Sequence, residues 1–143
     1  MVNLGKNLGF KHQSDDALKM FQQVTKQKPS HAYAWYAQGV IYRGRDESQA
    51  LSAFEKAVKY DAKNKQFLTA LGAAYFRAKR MVDARKTFSA LVRAHPNDPQ
   101  AWVNLAKSRQ LSKAPGVTEA LRQALRLAPE HAEAQALFKR YAD

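Results

Sequence analysis

Apolar and small residues recur along this chain with two superposed periods. The short period is helical. Trp35, Gly39 and Tyr42 are spaced four and three, as are Leu68, Gly72 and Tyr75, so each trio shares one face of a helix. Ala50, Phe54 and Ala57 repeat that spacing, and so do Ala84, Phe88 and Leu91. The long period is 33 to 34 residues. Gly5, Gly39, Gly72 and Ala106 follow one another at intervals of 34, 33 and 34. Phe21, Phe54, Phe88 and Leu121 keep the same beat, each four residues after Ala17, Ala50, Ala84 or Val117. Pro29, Ala62, Pro96 and Pro129 close the four units.

Each unit therefore reads as a pair of helices. The pattern predicts helices near 1–11 and 15–27, 31–44 and 47–60, 65–78 and 81–94, and 99–112 and 116–127. A last helix near 131–142 stands without a partner after it and reads as a capping element. Mid-helix glycine costs about 1 kcal/mol relative to alanine, so its recurrence on the packing face calls for a close helix–helix approach. The facing alanines serve that approach, and Phe54 or Phe88 fills the space beside it. Proline cannot continue a helix and ends the units.

These residues resemble the tetratricopeptide repeat. The copy from Lys65 to Asp98 carries Leu68, Leu71, Gly72, Tyr75, Ala84, Phe88, Leu91 and Pro96 in that family's slots. The copy from Ala32 to Asn64 departs at Gln38, where leucine is usual, and at Ala62. The copy from Pro99 departs at Arg109, where tyrosine is expected. The resemblance implies an all-α fold, a right-handed superhelix (α-solenoid) of stacked antiparallel helix pairs. It would comprise about four units in one domain over 1–143: 1–31, truncated at its start, then 32–64, 65–98 and 99–131, and the capping helix 131–142. The abrupt start reads as a naturally incomplete first repeat or, in preference, as a cut in a longer array. It would expose Leu4, Gly5 and Leu8 for self-association.

In this family the first helix of each pair lines a concave surface, and the resemblance implies that a partner binds there. The track not used for packing holds Tyr33, Tyr36, Val40 and Arg43, then Gln66, Thr69, Ala73 and Phe76 with Arg77 adjacent. It continues through Gln100, Val103, Lys107 and Gln110 with Asn104 beside them. In the first unit Val2, Lys6 and Phe10 fall near the same track. Aromatic rings beside cations suit a peptide or helical segment of another protein with apolar and acidic residues. Some family members clamp a chaperone's C-terminal carboxylate with lysine, asparagine and arginine. The corresponding places hold Val2, Lys6, Ala37, Gln66 and Ala70, or one unit along Tyr36, Val40, Ala70, Gln100 and Asn104. Neither set supplies the required cations and asparagines.

Charge adds an alternative. Lys and Arg number 24 against 12 Asp and Glu, a formal net charge of +12. Lys11, Arg43, Arg45, Arg77, Lys79, Arg80, Arg109 and Lys113 recur at the ends of first helices and would form a basic edge. Complementing helix dipoles explains their placement, and RNA or another anion is the second-ranked partner after protein. Cysteine is absent, which removes disulfides and thiolate metal sites. No histidine pair has helical ligand spacing, and the six glycines form no phosphate loop, so neither catalysis nor a metal or cofactor is expected. No apolar run reaches the roughly 20 residues of a membrane helix, and compartment is not readable.

Overall fold

The computed structural model describes the backbone of residues 2–142 and the side chains of 13–141. Eight helices and no strand occur among the described residues: α1 (Val2–Gln27), α2 (Ala32–Tyr42), α3 (Glu47–Tyr60), α4 (Lys65–Arg77), α5 (Met81–Ala94), α6 (Pro99–Leu111), α7 (Val117–Leu127) and α8 (Ala132–Ala142). Seven of them fall within two residues of the expected bounds. The first does not. In place of helices near 1–11 and 15–27 stands one helix of 26 residues. The stretch Phe10–Asp15 contains neither glycine nor proline, so nothing there interrupts the hydrogen-bond ladder. Asp15, instead of capping a new helix, pairs with Arg45 at 2.7 Å.

The chain divides into two compact units, Met1–Ala62 and Lys63–Asp143. In the first, α2 and α3 form a hairpin against α1. Gly39 is the notch in that hairpin. A Cβ placed on it would stand 2.5 Å from Phe54 Cε1 and 2.6 Å from Cδ1, well inside van der Waals contact. Phe54 is wholly buried, as are Ala34, Ala50 and Ala57 of the same hairpin. Gln38, in the leucine slot, is also buried; its Nε2 donates to Phe21 O at 3.2 Å and Thr25 Oγ1 at 3.0 Å. The polar substitution is therefore satisfied, and it ties α2 to α1 by directional bonds.

In the second unit α4–α5 and α6–α7 are successive hairpins, and α8 packs on α7. Gly72 meets the ring of Phe88 as Gly39 meets Phe54, with a hypothetical Cβ 2.6 Å from Phe88 Cε1. Ala106, Ala120, Leu121, Ala124 and Ala134 form the core farther along, flanked by Trp102, Leu137, Phe138 and Tyr141.

Side-chain bonds repeat with the sequence period. Trp35 Nε1 donates to Pro29 O at 2.7 Å, Trp102 Nε1 to Pro96 O at 2.8 Å, and Gln135 Nε2 to Pro129 O at 2.7 Å. Helix starts are capped by Asp46, Asn64 and Asp98, whose side chains accept from Gln49 N, Phe67 N and Gln100 N. His31 and His131 do the same through Nδ1, accepting from Ala34 N and Ala134 N. Their equivalent places in the repeat are thus those of capping residues. Helices α4 and α6 end in one motif, with Lys79 and Lys113 in the left-handed region at φ 59° and 57°. Arg80 N bonds Tyr75 O, and Ala114 N bonds Arg109 O, closing each turn.

Candidate functional site

The second unit contains a cavity of about 570 Å³ bounded by α4, α5, α6 and α8. Ala73 and Phe76 of α4, Met81 and Phe88 of α5, Leu111 of α6, and Leu137 and Tyr141 of α8 give it an apolar floor. Thr69, Asn104, Lys107, Gln110 and Arg140 add polar atoms around that floor. Phe76 is held by Phe88, their ring centroids 5.4 Å apart. The site thus rests directly on the ring that fills the Gly72 notch.

Of the residues expected on the concave track of this unit, Thr69, Ala73, Phe76, Asn104, Lys107 and Gln110 are brought together here. Gln66, Arg77 and Gln100 are exposed on the same first helices, outside the cavity lining. Val103 is a correction: it is 0% exposed, in the core with Ala120, Leu121 and Ala134, and cannot meet a partner. Its helix is flanked by α8 as well as α7, so a position that faces outward in a two-helix pair becomes interior here.

A polar network runs along one side of the cavity. Lys107 Nζ lies 2.5 Å from Glu133 Oε2. Gln100 Nε2 donates to Glu133 Oε1 at 3.2 Å and to Asn104 Oδ1 at 3.3 Å. His131 Nδ1 accepts the Ala134 amide, which leaves the ring proton on Nε2 to donate to Gln100 Oε1 at 2.9 Å. The hydrogen bond from Lys107 holds the Glu133 carboxyl below its ordinary range; partial burial opposes this, and the Gln100 bond and the Lys107 charge reinforce it.

In the first unit, Phe21, Tyr33, Tyr36 and Phe54 form a chain of rings with centroids 6.2, 6.1 and 5.8 Å apart. Tyr33 is 55% exposed, while Tyr36 is half-buried against Phe54. Val40 and Arg43 are exposed beyond them. Val2, Lys6 and Phe10, and the faces of Leu4, Gly5 and Leu8 expected to mediate self-association, lie outside the described side chains, as does Lys11 of the basic edge.

The basic edge is partly consumed within the fold. Arg45 pairs with Asp15, and Arg80 pairs with Asp83 at 2.8 Å while its guanidinium covers the Tyr75 ring at 4.9 Å. Arg109 turns inward, its guanidinium donating to Gly116 O at 2.9 Å. Gly116 has φ 94°, and a Cβ there would stand 2.8 Å from that guanidinium. The arginine in the tyrosine slot therefore braces the α6–α7 turn. Among the described residues no cluster of His, Asp and Glu could hold a metal, and no helix is long and apolar enough to cross a membrane.

The reading of the sequence missed Leu137, Arg140 and Tyr141 as cavity residues because it treated α8 as a cap. A signal was present: Leu137 lies 34 residues after Val103, and Tyr141 34 after Lys107, so the concave track continues onto α8. Phe88 belongs to the hairpin packing, and neither it nor Met81 nor the 51% exposed Leu111 carried a separate sign of bordering a cavity.

Comparison with known proteins bears on the fold. Two family models, both described as tetratricopeptide repeat, match residues 45–108 and 2–48. No curated protein matches the chain. Among solved structures, MamA residues 41 to end from Desulfovibrio magneticus RS-1 is similar at 20% identity, covering 99% of this chain and 83% of its own, with a TM-score of 0.76. The first TPR of Spaghetti (RPAP3), bound to the HSP90 peptide SRMEEVD, is 20% identical over 78% of this chain and 90% of its own, with a TM-score of 0.70. The Arabidopsis OM64 TPR domain is 19% identical over 76% and 92%, with a TM-score of 0.66. With the two family matches adjoining across 2–108, the four-fold register of small residues and rings, and these shared folds, the chain belongs to the tetratricopeptide repeat family and has its all-α solenoid architecture.

Proposed function

We propose that this chain is a non-enzymatic protein–protein interaction scaffold, and that the cavity between α4, α5, α6 and α8 receives a peptide or helical segment of a partner protein. The observation that carries the reading is the cavity itself, an apolar floor from four helices ringed by a hydroxyl, two amides and two cations. Its volume of about 570 Å³ lies within the range of roughly 300–1,000 Å³ typical of ligand sites, large enough for a bulky side chain and its neighbours. Buried apolar anchors with polar rims are where binding energy concentrates in interfaces. The neighbour described with an HSP90 peptide holds its ligand on the same kind of fold, which supports the class of partner and not its identity.

The test is to select peptides from a random display library on the whole chain and measure their affinities for an Ala73→Arg variant. Ala73 is a half-buried residue of the floor, and arginine there occupies the cavity. Binding should fall by about tenfold or more, the loss of one interface anchor, with helical circular dichroism unchanged. Peptides that bind both proteins equally would assign recognition to another surface.

A further inference from the structure

Lys107 and Arg140 are the cations lining the cavity, and no acidic residue lines it. Yet Lys107 is already occupied. Glu133, outside the lining and in the first turn of α8, places Oε2 against its ammonium, and Gln100 holds the other carboxylate oxygen. Both members of the pair are accessible, Lys107 35% and Glu133 41% exposed, so water and a ligand can reach the bond. Resting on the reading of this cavity as the docking site, we propose that Glu133 is a built-in stand-in for an acidic group of the partner. The partner is a segment that carries a carboxylate beside a large apolar side chain. The apolar group fills the floor, and the carboxylate takes Lys107 from Glu133.

The physical consequence is selectivity. A neutral apolar segment gains nothing from Lys107, which keeps its internal partner. An acidic segment exchanges one exposed ion pair for another and also meets Arg140, which makes no ion pair with another described residue. Glu133 therefore lowers the affinity for every anionic ligand by a fixed factor, so acids without an apolar anchor are held too weakly to compete. Its position near an α-helix N-terminus is favourable for a carboxylate in its own right, which keeps it in place when the cavity is empty.

The experiment uses two fluorescent probes with the same ring system, anilinonaphthalene sulfonate and the uncharged N-phenylnaphthylamine, titrated into the full chain. Ala73→Arg should abolish the saturable signal of both, placing them in the cavity. Glu133→Gln should then tighten the sulfonate by about threefold, the size of an exposed ion-pair effect, and leave the uncharged probe unchanged. In a Lys107→Met background, Glu133→Gln should no longer tighten the sulfonate. Unaltered binding in Ala73→Arg would overturn the docking site and the inference with it. Binding in the cavity that Glu133→Gln fails to change, or changes equally for both probes, would overturn the exchange alone and leave the docking site standing.

Discussion

Gly72 and Phe88 show how a single missing methyl group fixes a hairpin. Replacing Gly72 by alanine would gain about 1 kcal/mol in helix propensity. It would also drive a methyl into the buried Phe88 ring, and overpacking of a closed core costs about 1–3 kcal/mol. Phe88 is 1% exposed and is backed by the Phe76 ring 5.4 Å away, so its retreat must displace a second ring and the clash should win. We expect Gly72→Ala to lower the urea midpoint, and Gly72→Ala with Phe88→Leu to cost less than the sum of the two changes. A midpoint equal to or above that of the parent chain would show that the ring yields. This pairing was legible in the sequence because it depends only on residue type and spacing. Gln38 and Arg109 were not, and for a common reason. Each occupies a slot meant for an apolar residue, and each is accommodated by a partner that periodicity does not reveal: Phe21 O and Thr25 Oγ1 for one, Gly116 O for the other.

At the scale of elements, the period located helices more reliably than it located interruptions. The α2–α3 turn is marked by Gly44 at φ 87° and the α6–α7 turn by Gly116, whereas nothing marks a break near Ser14, and α1 continues through it. The role of α8 was legible only in part. Its apolar residues were visible, but their membership of the concave track depended on extending the register past the last complete pair. The Lys107–Glu133 bond makes that helix sensitive to acid. A carboxyl held below its ordinary value of 4.5 contributes stability that is present above that value and lost as pH falls through the lowered one. Lys107→Met should therefore move the Glu133 titration upward, read by carboxyl chemical shifts, and lessen the fall in stability on acidification that this carboxyl contributes. An unchanged Glu133 titration would assign the depression to Gln100 or to the helix terminus instead.

For the molecule as a whole, the division into Met1–Ala62 and Lys63–Asp143 has a functional side, because every residue lining the cavity lies in the second unit. Repeat arrays draw stability from each unit and its neighbour, so a fragment can keep its fold when its own hairpins are complete. The fragment 63–143 contains α4 to α8 with both the Phe88 and Leu121 cores. It should retain helical circular dichroism and cooperative unfolding. A fragment without a cooperative transition would show that the second unit depends on the first.

Phe88 belongs at once to the notch of a hairpin and to the floor on which a partner is proposed to rest. Inheritance of new specificities is thereby channelled. Changes to Phe88 act as folding defects before they can be tried as altered recognition, whereas the exposed Gln110 and Arg140 can vary at little structural risk. Descendants of this chain would diverge in taste at the margin of the cavity while keeping one shared base.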